Sequence, residues 1–241
     1  MGIGFIFQFL PPVLPAVIAD LGMSHGQAGL MVSLFALPGI LLSIPAGWAV
    51  DRFGERLAGS FGLALMGVAT LGLARADSFE VILAMRTLSG VGSLVGVVSL
   101  QRMTVRLFEG RALGLPMGIS SSAIPAGIVV VLNVAGPLAE SHGWREVAWL
   151  TGLVTLVIAG VFLTASWFLL KGQLRAERSG AGAEPAGRGY RAVWIAGTVW
   201  IMTNGAMFSF TTFAPDHFLD LGFGTGARGL FTSLPMWSSA L

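Results

Sequence analysis

The sequence predicts an all-α membrane protein, a six-helix half-bundle followed by the first helices of a second half. Three observations carry that prediction. The 241 residues are 54% hydrophobic and 11% charged, against roughly 25% charged in soluble domains, and the mean hydropathy is +0.80. So few charges cannot cover a water-facing surface, and lipid must solvate part of it. Apolar runs of about 20 residues recur along the chain, the length that spans a hydrocarbon core about 30 Å thick. A stretch near the start also returns 200 residues later: PAVIADLGMSHGQAGLMVSL at 15–34 and PDHFLDLGFGTGARGLFTSL at 215–234 share nine of twenty positions without a gap.

The repeat keeps the frame Pro-x4-Asp-Leu-Gly-x3-Gly, from Pro15 to Gly26 and from Pro215 to Gly226. Each copy joins the end of one apolar run to the start of the next. Long-period repeats of membrane hairpins build many transporters as two halves around a central site. The chain stops at Leu241, early in the second copy. At the 200-residue offset Met1 aligns with Ile201, whereas the seventh helix is expected from Val193, so about eight residues are expected to be missing before Met1.

Helices are expected near 2–19, 27–50, 57–75, 79–101, 113–138, 146–170, 193–214 and 227–241. The first run lacks a basic n-region and is interrupted by Pro11, Pro12 and Pro15, so it does not read as a cleavable signal peptide. The second and third runs are separated by the charged loop GWAVDRFGERLAG. The fourth carries RTLSGVG, and the fifth contains the pair Gly136–Pro137. The sixth ends before the polar, Gly- and Ala-rich KGQLRAERSGAGAEPAGRGYR, which reads as a flexible linker. The expected division is therefore 1–170 as a six-helix half, 171–192 as a cytoplasmic linker and 193–241 as the start of the second half.

Charge sets the orientation. Loops on one side hold Arg52 and Arg56, then Arg102, Arg106 and Arg111, then Lys171, Arg175, Arg178, Arg188 and Arg191; the opposite loops hold Arg75, Arg145 and Arg228. The ten-to-three split puts the N-terminus and the linker in the cytoplasm.

Several function classes are excluded. With no Cys there is no disulfide or thiolate site, and no basic run resembles a nucleic-acid patch. His25, His142 and His217 fall at outer loops or helix ends and form no H-E-x-x-H pattern, so neither a zinc site nor a Ser–His pair at membrane depth is available. A retinal receptor needs a lysine in a late helix, and the single Lys171 lies in a loop. No enzyme activity and no cofactor are expected.

The loop between the second and third helices spells G-x-x-x-D-R-x-G-x-R through Gly47, Asp51, Arg52, Gly54 and Arg56. Gly47 allows two helices to approach closely, Gly54 permits a tight turn, and Asp51 at a helix end can pair with an arginine or a positive helix terminus. Read blandly, it is a charged turn with positive-inside arginines. In spacing and location it resembles the signature of the major facilitator superfamily, with Glu55 standing where the pattern has a basic residue. The resemblance implies that this motif is a gating latch, with the partner of Asp51 expected in the second half. On the fourth helix Arg86, Gly90 and Gly92 resemble the family's R-x-x-x-G-x-G. Gly136–Pro137 and the following Gly143-Trp144-Arg145 also look like this superfamily, although Leu132, Glu140 and Ser141 replace the glycines of its antiporter motif.

Arg86 lies inside an apolar run, where a charge costs about 2.5–3.5 kcal/mol. It has two readings: a cavity arginine for an anion or for proton coupling, or a side chain snorkelling outward past Glu80 to the interface. Gly90, Gly92 and Gly96 are expected to serve helix packing. The resemblance implies a cavity lined by helices 1, 4, 7 and 10, which makes Gln8, Arg86, Asn204 and Phe208 the lining candidates; the repeat pairs Gln8 with Phe208. For the uncharged residues among them, ordinary interhelical pairing is the competing reading. No Asp or Glu sits well inside a span. The expected function is secondary active transport of a small solute by alternating access, in a bacterial inner membrane. The partners are the lipid bilayer and a solute, with an anion favoured by Arg86 and a proton or ion as the coupling partner. The alternatives are a partial, non-functional fragment and, further off, a seven-helix receptor.

Overall fold

Proline placement decides the first third of the structure, a computed structural model that describes residues 1–110, 112–170 and 190–240. Proline has no N–H to give to the carbonyl four residues back, and its ring crowds that carbonyl. Pro12 therefore ends α1 (Gly2–Gln8) at Gln8, and α2 (Leu10–Leu21) restarts with Pro11 and Pro12 in its first turn, bent by 42° from α1. The same rule breaks the helix expected over 27–50. Pro38 removes the donor to Leu34 and Pro45 the donor to Leu41. The span is accordingly cut into α3 (His25–Ser33), α4 (Leu37–Leu41) and the start of α5 (Ser43–Ala74). Gly54, at φ 79° and ψ 151°, makes the turn that separates the second and third spans inside α5.

Beyond that point the expected helices run on at their ends. Helix α6 (Phe79–Leu107) continues past 101, so Arg102 and Arg106 sit on its last turns and not in a loop. The others are α7 (Gly114–His142), α8 (Trp144–Leu170), α9 (Tyr190–Asp220) and α10 (Thr225–Ala240). The expected linker lies outside the described residues over 171–189, and 190–192 already belong to α9. Among the described residues α5, α6, α7 and Trp144–Phe168 of α8 are long and apolar enough to cross a membrane, and the bent pair α1–α2 meets the same test only when its two helices are taken together.

The bent pair α1–α2 occupies the centre, with Ile6, Phe9, Leu10, Val13 and Val17 fully buried. Around it the helices meet through glycine. A Cβ on Gly92 would stand 2.5 Å from the Gly62 carbonyl oxygen, and one on Gly62 would stand 2.7 Å from the Gly92 oxygen, which brings α5 and α6 together backbone to backbone. Apolar side chains such as Ile44, Phe61, Leu115 and Phe168 point outward, as they do where lipid is the solvent.

The repeat is geometric as well as sequential. Gly22 and Gly222 both take positive φ, 61° and 80°. Met23 N–H donates to the Ile18 carbonyl at 3.2 Å and Phe223 N–H to the Phe218 carbonyl at 3.0 Å, the same cap at the same 200-residue offset. Ser24 closes the entry to α3 with a capping box to Gln27, whereas Gly224 stands at that place before α10.

Candidate functional site

The middle of the molecule is where α1 meets α9. Gln8, at the last turn of α1, is buried, and its Nε2 donates to Thr211 Oγ1 at 2.8 Å. One residue earlier, the Phe7 ring packs against Phe208 at 5.2 Å and against Phe35 at 5.4 Å. Two of the lining candidates, Gln8 and Phe208, thus belong to one junction between α1 and α9. Thr211, the partner of Gln8, was not singled out in the sequence. The side chain of Asn204 lies outside the described residues.

Arg86 does not snorkel toward Glu80. Its side chain is 1% exposed and turns inward. Nη1 donates to the Ile6 carbonyl at 3.1 Å and Nε to the Met31 carbonyl at 3.4 Å. Both carbonyls belong to last turns, of α1 and of α3, where no intrahelical donor follows. The guanidinium carbon lies 4.8 Å from the Phe35 ring centre and 5.8 Å from that of Phe9. Phe9 and Phe35 are themselves the residues at the two helix breaks. A Cβ on Gly90, one turn along α6, would collide with the Phe35 carbonyl, so α6 presses directly on the second break. Nη2 has no hydrogen-bond partner, and no carboxylate pairs with Arg86 among the described residues.

At one end of the bundle the loop motif forms a ladder. Asp51 accepts from Arg102, and Glu55 accepts from Arg106 Nη1 at 2.7 Å. Each pair spans 51 residues, so the two steps sit in register between α5 and α6. Asp51 therefore has a partner inside its own half, where the sequence reading looked to the second half. Glu55, the departure from the family pattern, is the better buried carboxylate, with 10% of its side chain exposed against 59% for Asp51. The remaining basic residues of the motif stack on tryptophan: Arg56 over Trp167 at 4.4 Å and Arg52 over Trp48 at 5.8 Å. Gly47 has nothing within 4 Å of where a Cβ would stand, so the close approach expected there is not made among the described residues. The matching four-residue spacings, 51/55 and 102/106, were the available sequence signal for the ladder.

The opposite end carries its own network. Trp144 Nε1 donates to Asp20 at 3.0 Å, and Arg145 lies 3.4 Å from Asp20 and 3.3 Å from Asp77. Arg145 also donates to the Ala74 and Ala76 carbonyls, which holds the end of α5 against the start of α8. Nearby, Glu140 on α7 accepts from Thr225 and from Arg228 of α10, the latter at 3.3 Å. The arrangement has polar ties at both ends and a buried cation between them.

Known proteins give that arrangement a context. A protein of Cupriavidus necator named probable sulfoacetate transporter SauU is 24% identical over 243 aligned positions, which cover 94% of this chain and 56% of the relative. The quinolone resistance protein NorA of Staphylococcus aureus is 27% identical over 143 positions, covering 59% of this chain and 36% of the relative. The chain thus spans about half the length, or less, of these two curated relatives. The sequence profile of the Major Facilitator Superfamily matches residues 1–241 throughout. With that match, the helical membrane fold and the repeated hairpin, the chain belongs to the major facilitator superfamily.

Proposed function

We propose that the chain forms the first half and the start of the second half of a secondary active transporter that moves a small organic anion by alternating access. The division at 1–170, 171–192 and 193–241 belongs to this reading, as do a cytoplasmic N-terminus, a bacterial inner membrane and a coupling proton or ion. The observation that carries the anion is Arg86. Its charge is buried among α1, α3 and α6, it has one free donor, and no carboxylate pairs with it among the described residues. A cation held this way favours a negative solute arriving at the junction of Gln8, Phe7 and Phe208. The Cupriavidus relative is named a probable sulfoacetate transporter, which supports the same solute class.

Uptake into membrane vesicles by the full-length protein tests the reading, with sulfoacetate and simple carboxylates as probes. Arg86→Ala should abolish saturable uptake while leaving membrane insertion intact. Arg86→Lys should restore only part of it, because an ammonium cannot reach two carbonyls and a solute with one planar fork. Uptake by the alanine variant at the wild-type rate would sink the role given to Arg86.

A further inference from the structure

Helices α7 and α10 precede and follow residues 171–192 in the sequence, and they run antiparallel against each other. Their contacts form a series. Glu140 meets Thr225 and Arg228. A Cβ on Gly136 would stand 2.6 Å from the Thr225 methyl carbon, and one on Gly229 would collide with the Leu132 carbonyl. Asn133 Nδ2 donates to Ser233 Oγ at 3.1 Å, and Ile128 and Leu132 enclose Met236. Positions fall along α7 as they rise along α10, over about 12 residues or ~18 Å of helix. Pro12 of α2 and Pro215 of α9 flank the same crevice beside Arg228.

Only the first of these contacts is ionic. The Arg228 side chain is 13% exposed, and its Nε lacks a partner, so Glu140 is the one carboxylate paired with it among the described residues. Glu140 is also one of the three residues that replace glycine in the antiporter motif this helix resembles, so the tie is a property of this chain and not of that motif.

We propose that Glu140, Arg228 and Thr225 form a latch that holds the two halves shut at the face expected outside, above the Gln8–Thr211 junction. The proposal rests on the alternating-access reading. To open that face, the chain must break the ion pair and lift Gly229 off the α7 backbone. Once it has, Ser233 becomes accessible from that side.

The absence of native cysteine makes the test direct. Ser233→Cys serves as reporter in the full chain, in sealed vesicles of each orientation, with an impermeant maleimide as probe. With the latch intact, labelling should be slow from the outer side. In the E140Q and R228Q backgrounds it should be up to about fivefold faster, the upper end for an ion pair whose carboxylate is 61% exposed. The swap E140R/R228E should bring the rate back toward that of the parent. G229V should speed labelling without touching a charge, because its side chain cannot fit against Leu132. Equal rates in all four backgrounds would overturn the latch. Latch-dependent labelling from the opposite face would uphold the latch and overturn the assigned orientation. Labelling is read without transport, so this test and the Arg86 uptake test fail independently.

Discussion

Burial decides which of the two ladder pairs matters more for stability. Asp51–Arg102 is half exposed on both sides, and such pairs contribute about 0.2–1 kcal/mol. Glu55–Arg106 is mostly buried, and removing one partner from such a pair strands the other at a cost of about 3–5 kcal/mol at the buried limit. Glu55→Ala should therefore destabilise the protein by about 1–3 kcal/mol, and Asp51→Ala by less than about 1 kcal/mol. Thermal unfolding of the two variants in the same detergent checks the ranking, and equal shifts would remove it. The sequence showed that Asp51, Arg86 and Gln8 needed partners, but it did not show which. The partners of Arg86 are the carbonyls of Ile6 and Met31, and a carbonyl carries no residue identity. Thr211 was equally hidden, being one ordinary threonine of a pair on an apolar helix.

At the scale of helices, backbone contact replaces the apolar driving force that packs soluble bundles. Gly62 and Gly92 bring α5 and α6 together so closely that neither has room for a side chain. Gly62→Val should force the pair apart and lower stability by about 1–3 kcal/mol, whereas Gly160→Val, on a position with open space around it, should change it by less than about 0.5 kcal/mol. Detergent unfolding of both variants gives the comparison, and a harmless Gly62→Val would mean the helices do not meet as described. Apolar runs placed the long spans well because length against bilayer thickness is a strong constraint. They misplaced the second span, where Pro38 and Pro45 cut one apolar run into pieces that hydropathy joins. They also ended α6 early, because a helix continues past the hydrocarbon edge wherever its polar residues, here Arg102 and Arg106, find partners.

In the molecule as a whole, the repeat sets a rule of equivalence that only one of its copies has fulfilled. Gly29 and Gly229 occupy the same place, 200 residues apart, each in the first turns after a matching cap. Gly229 rests on the α7 backbone, while Gly29 has nothing among the described residues within 4 Å of where a Cβ would stand. The same small residue is thus a contact in one hairpin and a vacant seat in the other. Under the two-half reading proposed above, that seat would go to a helix related to α7 as α10 is related to α3. Gly29→Val and Gly229→Val then become a paired probe of that reading. Where the chain stands as described, only the second should lower the melting temperature. Where a full second half is present, both should, and by similar amounts. If the first stays silent in the full-length protein, the hairpin symmetry stops at the turns.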